Sequence, residues 1–140
     1  MFIKQLSVFV ENKHGRLQAI IDKLSENGVN IRALSIADTT DFGILRIIAD
    51  DNEKAKKVLA EEGVIATSID VIAVYIDDKT GGLAQVLKVV TEAGISIEYM
   101  YAFLGRKEGK ALMVLKTDEE ALTAKILSDQ GIALADSTDS

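Results

Sequence analysis

The chain has 140 residues, 48% hydrophobic and 27% charged, with no cysteine, a formal charge of −6 at neutral pH and a pI near 4.8. That acidic balance argues against a nucleic-acid partner, whose phosphates are bound largely through Lys and Arg. No apolar run approaches the roughly 20 residues of a membrane helix, there is no disulfide framework or thiolate nucleophile, and Met1-Phe2-Ile3-Lys4-Gln5 lacks the pattern of a secretory signal; a cytoplasmic location is expected.

Leu6, Val8 and Val10 alternate with Ser7 and Phe9, the period of a strand, and Lys13 to Arg16 form a turn. Leu17, Ile20, Ile21 and Leu24 then fall at i, i+3, i+4 and i+7, an apolar helical stripe that Asn27-Gly28 stops. Val29 to Ala37 and Gly43 to Ala49 are predicted strands around a polar turn, Asp38 to Phe42. Asp50, Asp51 and Glu53 open a second helix, where carboxylates favour the free N–H groups, and Gly63 closes it before a short strand, Val64 to Ser68. The second half repeats this order: strand Val71 to Ile76, helix Gly82 to Ala93, strands Ile95 to Leu104 and Lys110 to Lys116, helix Asp118 to Gln130 and strand Ile132 to Ala135.

The halves also match residue by residue. Leu17, Ile20, Ile21, Leu24, Gly28, Asn30 and Ile31 recur as Leu83, Val86, Leu87, Val90, Gly94, Ser96 and Ile97, each 66 positions later (83 − 17 through 97 − 31). Asp51-Asn52-Glu53 aligns with Asp118-Glu119-Glu120 after a one-residue slip (118 − 51 = 67), and a second slip aligns Val58-Leu59 with Ile126-Leu127 and Gly63 with Gly131. Two copies are too few for a solenoid. Each is instead a small βαββαβ domain, residues 1–68 and 69–140, which the crossover rule turns into a ferredoxin-like α+β sandwich with an antiparallel sheet and both helices on one face.

Such a unit has a bare second face and open strand edges, so the halves are expected to associate with each other or with another chain. If strands end near Ser68 and restart near Val71, the link spans on the order of 10 Å, whereas edge pairing through the two second strands separates the connected strands by about 29 Å. Strand exchange between halves, or pairing between two chains in a homodimer, follows from that premise.

The strand-end acid, the turn closed by Gly, the Leu that begins the helix and the later Gly before a polar-Ile pair resemble the ACT domain. In the first half the resemblance rests on Glu11-Asn12-Lys13-His14-Gly15-Arg16-Leu17 and Asn27-Gly28-Val29-Asn30-Ile31. In the second it rests on Asp77-Asp78-Lys79-Thr80-Gly81-Gly82-Leu83 and Ala93-Gly94-Ile95-Ser96-Ile97. The chain departs from the family in having His14 and Thr80 where many members have Pro, Asn12 in place of Asp, and Ser96 in place of Asn.

The resemblance implies a regulatory module that binds a free amino acid without catalysing a reaction, needs no cofactor, and acts on itself or on a separate metabolic enzyme. The ligand is expected at the first strand-to-helix loop of each copy: Asn12, Lys13, His14, Gly15, Arg16 and Leu17 with Asn30 and Ile31, and Asp78, Lys79, Thr80, Gly81, Gly82 and Leu83 with Ser96 and Ile97. Helix N-termini present unpaired N–H groups to a carboxylate, and the glycines let a ligand approach the backbone; the ammonium would meet carbonyls or an acceptor such as Asn12, Asp78 or Asn30.

Other readings stay beside this one. Gly15 and Gly81 equally suit a strand-to-helix turn, Asn30 a satisfied turn amide, and His14, the only histidine, a solvated loop rather than a metal site. The carboxylates at 50–51 and 118–120 read as helix-opening charges. Tyr99, Tyr101 and Phe103, whose first-half counterparts Ala33, Ser35 and Ala37 are small, read as core filling or a contact between halves, with a pocket wall as the minor alternative. A protein-interaction module without a small ligand is the second functional class. An enzyme is disfavoured, since there is no phosphate loop, nucleophile elbow or histidine pair, and nothing in the spacing of Ser7, His14 and a nearby Asp supports a triad.

Overall fold

The computed structural model describes residues 2–11, 13–38, 41–105 and 109–136. They form β1 (Phe2–Glu11), α1 (Arg16–Glu26), β2 (Ile31–Asp38), β3 (Phe42–Ala49), α2 (Asn52–Glu61), β4 (Ala66–Asp77), α3 (Gly82–Glu92), β5 (Ile97–Ala102), β6 (Lys110–Thr117), α4 (Glu120–Asp129) and β7 (Leu134–Ala135). The chain divides into two compact units, Lys4–Ile69 and Asp70–Ser140, the latter with Met1–Ile3. Each is a βαββαβ sandwich.

In the first unit the antiparallel order is β2-β3-β1, with Leu6 opposite Ile47 and Val8 opposite Leu45. Strand alternation sends Leu6, Val8, Val10, Leu45 and Ile47 to one face, where Ile20 and Leu24 of α1 and Ala55, Val58 and Leu59 of α2 cover them. In the second unit β7-β4-β6-β5 are paired, and Ile72, Val74, Ile76 and Leu115 pack under Val86 and Val90 of α3 and Ala124 and Leu127 of α4. Each fully buried Leu or Ile contributes about 1.5–3 kcal/mol, so these two clusters hold the sandwiches together.

Three differences from the sequence-based expectation have physical causes. The strands expected at Val64 to Ser68 and Val71 to Ile76 are one continuous strand, β4, with no loop between them. Its beginning, Ala66, packs on the first core, and Ile72, Val74 and Ile76 belong to the second. Thr67, Ser68 and Asp70 interrupt the apolar pattern because residues 66–70 are all exposed or half-buried, and strand backbone tolerates polar side chains there. The short link expected between Ser68 and Val71 is therefore absent.

The repeat alignment also shifts. By hairpin register Glu11 faces Phe42 and Asp77 faces Lys110, an offset of 68 for the third strands (110 − 42). Both inserted residues thus lie before that strand, and the structural counterpart of Asp118 is Asp50 rather than Asp51 (118 − 50 = 68). Finally, the buried face of α3 is turned relative to the expected stripe: Gly82, Val86 and Val90 are buried and Val89 packs on the core, whereas Leu83 is 40% exposed.

Candidate functional site

The two strand-to-helix loops share one hydrogen-bond pattern. In the first, Lys13 N donates to Glu11 O (2.8 Å), Arg16 N to Lys13 O (3.1 Å) and Ala19 N to Gly15 O (3.0 Å). In the second, Lys79 N donates to Asp77 O (2.9 Å), Gly82 N to Lys79 O (3.0 Å) and Gln85 N to Gly81 O (3.0 Å). Gly15 and Gly81 precede the helices at φ 81° and 87°, a left-handed conformation that disfavours any side chain, and among the described residues neither helix receives a side-chain cap. The turn satisfies one first-turn amide in each loop. Those of Leu17, Gln18, Leu83 and Ala84 have no acceptor among the described residues, which leaves N–H groups for an anion.

One position separates the loops. A Cβ on Gly82 would lie 2.0 Å from the Asp77 carbonyl oxygen, so α3 starts in direct contact with the end of β4 and only glycine fits. Its counterpart is Arg16, whose Cβ requires a wider approach in the first loop.

Charge gathers at both strand ends. Lys13 pairs with Glu11 at 3.0 Å, and its hydrogen bond holds the Glu11 carboxyl below the usual carboxylate range. Lys110, directly across the β4–β6 ladder, pairs with Asp77 and lowers that carboxyl in the same way, with a weaker contribution from Lys79 at 4.0 Å. His14, Thr80 and Asp78 are exposed; Asp78 N donates to Gly109 O (3.0 Å). Asn12 lies outside the described residues.

The expected contributors on the second strand of each copy are held by the backbone. Asn30 N donates to Asp50 Oδ1 (3.0 Å) while Asp50 N donates to Asn30 O (2.9 Å), and Ser96 and Asp118 repeat this clamp at 3.1 and 3.2 Å. The Asn30 side chain is exposed, and Ile31 and Ile97 pack against the two cores just before a bulge in each strand. Asp50 and Asp118 are thus strand clamps, not helix-opening charges; Asp51 alone caps α2, accepting from Lys54 N (3.1 Å). Sequence reasoning missed the clamps because their partners are 20 and 22 residues away.

A different device opens α4. Thr117 N donates to Glu120 Oε1 (2.7 Å), Glu119 N donates to Thr117 Oγ1 (3.2 Å), and the buried hydroxyls of Thr117 and Thr123 are 2.8 Å apart. Burial raises the Glu120 carboxyl above its usual range, against the lowering effects of the Thr117 amide and Lys116. Glu120 Oε2 and its structural counterpart Asn52 Oδ1 (120 − 52 = 68) are both buried without a hydrogen-bond partner among the described residues.

Among the described residues, cavities border these elements at three places. Two are counterparts: one lined by Ala60, Gly63, Val64 and Ile65, the other by Ser128, Gly131, Ile132 and Ala133. The third, about 170 Å³, lies in the second unit among Tyr75, Asp77, Gly82, Gln85, Lys110 and Gln130. Of the expected site residues it includes Gly82. Tyr75, Gln85, Lys110 and Gln130 were not anticipated, although aligning the hairpins on the Glu11–Phe42 and Asp77–Lys110 pairs would have pointed to Lys110. Tyr101 is buried and stacks on Tyr99 with ring centroids 6.3 Å apart, as core filling does. Among the described residues there is no cluster of metal-binding side chains, and no helix is long and apolar enough to cross a membrane.

A family model described as an ACT domain pair matches residues 1–138. No curated protein matches the chain. Among solved structures, the chain is similar to protein BT0572 from Bacteroides thetaiotaomicron, with 34% identity, 99% of this chain and 95% of that chain covered, and a TM-score of 0.92. It shares its fold with the ligand-free regulatory subunit of aspartate kinase from Thermus thermophilus (14% identity, 90% and 91% covered, TM-score 0.62). The same holds for the regulatory subunit of aspartate kinase from Thermus flavus (15% identity, 90% of each chain covered, TM-score 0.58).

Proposed function

Because the chain belongs to the ACT domain pair family, we propose that it is a non-catalytic regulatory protein that binds a free amino acid at the strand-to-helix loops of its two copies. The observation that carries this reading is the set of first-turn amides behind Gly15 and Gly81 that, among the described residues, have no acceptor and no side-chain cap in either copy. A carboxylate at these amides gains charge-assisted hydrogen bonds of about 1.5–3 kcal/mol each, more than the roughly 0.3–1 kcal/mol of the helix dipole alone. Sites on exposed loops need a covering partner, which favours a cytoplasmic homodimer acting on a separate metabolic enzyme. The regulatory subunits that share its fold support action on a separate enzyme.

A thermal-shift screen of free amino acids tests the reading. A ligand at a hundred times its Kd adds about 2.7 kcal/mol to stability and raises the melting temperature visibly. No shift with any amino acid would end the sensor proposal.

A second reading, a protein-docking module, is favoured by Phe9 and Phe42, 72% and 49% exposed on the first unit. Replacing Gly15 and Gly81 with bulky residues separates the two, since docking through a sheet survives that change and amino-acid binding does not.

A further inference from the structure

The chain passes from one unit to the other twice, at equivalent points of the repeat. Ile3 belongs to the second unit, the first unit runs from Lys4 to Ile69, and the second resumes at Asp70. Lys4 and Asp70 are counterparts at the offset of the first strands (70 − 4 = 66), as are Ile3 and Ile69 (69 − 3 = 66). Neither crossing is a loop. Each falls inside an unbroken strand, the first in β1 and the second in β4.

The exchange is reciprocal. β1 starts in the second unit, where Ile3 is 2% exposed, then pairs with β3 from Leu6 to Glu11 and ends at the first strand-to-helix loop. β4 starts in the first unit, where Ala66 packs on the core, then pairs with β6 from Ile72 to Asp77 and ends at the second loop. The strand that delivers each loop is therefore rooted in the opposite unit.

Strand register makes such an element hard to adjust piecemeal. A one-residue slip turns every side chain to the wrong face, so a strand that is buried at both ends keeps its register along its whole length or gives it up together. In β1 those ends are Ile3 and Val10; in β4 they are Ala66, against the first core, and Ile76, in the second. Both loops hang on the last carbonyls of these strands, which accept from Lys13 N and Lys79 N. Local opening of the unit that holds a strand's start thus loosens the loop at its end.

We propose that β1 and β4 couple the two copies, each strand transmitting the state of the unit in which it starts to the loop at which it ends. One consequence rests on the amino-acid reading above: a ligand that steadies one loop raises affinity at the other, by the same factor in both directions. The coupling itself is a property of the free chain.

The test is amide hydrogen exchange in the full chain without ligand, read by NMR. The reporters are Arg16 and Ala19 in the first loop and Gly82 and Gln85 in the second, all of which donate to carbonyls of their own loops. Ile3→Ala should speed exchange at Arg16 and Ala19 by about tenfold or more, although Ile3 belongs to the second unit. Ile69→Ala, at a half-buried position of the first unit, should speed Gly82 and Gln85 by about threefold or more. Leu122→Ala, at an exposed position of α4 and off both strands, should leave Arg16 and Ala19 at the parent rate. If Ile3→Ala does not fold, the milder Ile3→Val carries the same test. Loops that answer only to substitutions in their own unit overturn the proposal, as does a first loop that answers to Leu122→Ala as strongly as to Ile3→Ala. Either result leaves the amino-acid reading standing, whereas a silent thermal-shift screen ends that reading alone.

Discussion

The two strand-to-helix loops make the same three backbone hydrogen bonds yet differ in the first residue of the helix that follows. Arg16 carries a side chain at that position, whereas a Cβ on Gly82 would lie 2.0 Å from the Asp77 carbonyl oxygen. A duplicated module can therefore keep its turn chemistry unchanged and still diverge through one Cβ atom. A similar divergence separates the second helices. α2 opens on Asp51 and Asn52, and α4 opens on a threonine–glutamate network with a half-buried carboxyl.

The largest expected effects test whether the copies are equally essential. Leu59→Ala and Leu127→Ala remove counterpart side chains with no exposure, and each should lose about 2–5 kcal/mol in chemical denaturation. Two separated transitions after either substitution would show that the units unfold independently.

Next comes the residue that distinguishes the loops. Gly82→Ala should cost about 3 kcal/mol, because its Cβ must push backbone apart, while Arg16→Ala should cost under about 0.5 kcal/mol. Equal losses would dissolve the contrast between the two helix starts.

The third prediction concerns pH. Burial raises the Glu120 carboxyl above its ordinary 4.5 in the folded chain, so the protonated form favours folding. That contribution is complete below pH 4.5 and disappears as pH rises through the higher folded value. Glu120→Gln should flatten this part of the melting-temperature profile, whereas Asn52→Asp should introduce a comparable dependence into the first copy. An unchanged profile in Glu120→Gln would assign the pH dependence to other groups.

Among the glycine substitutions the smaller effects belong to the shared feature. Gly15→Ala and Gly81→Ala meet open space but demand a left-handed backbone, so each should cost about 1–2 kcal/mol, and by similar amounts. A marked difference between them would mean that the loops are not conformationally equivalent.

The legible parts of this molecule were those governed by short-range pattern. The i, i+3, i+4, i+7 stripe located α1, alternation located β1, and the recurrence of Gly15 and Gly28 as Gly81 and Gly94 identified two copies of one module with their strand-to-helix loops. The illegible parts depended on partners distant in sequence. Asp50 and Asp118 resembled helix-opening charges until the strands placed them beside Asn30 and Ser96. Ser68 and Asp70 suggested a break because their side chains are polar, yet both lie within one uninterrupted strand.

The sequence by itself determined the duplication, the βαββαβ order and the glycine turns, because hydrophobic period and backbone conformational preference act between neighbours along the chain. Tertiary structure alone decided that β4 is continuous, that Gly82 touches a carbonyl, and that Lys110 faces Asp77 beside a cavity. Those outcomes depend on strand register and on the close approach of backbone to backbone, which exist only once distant segments pack together.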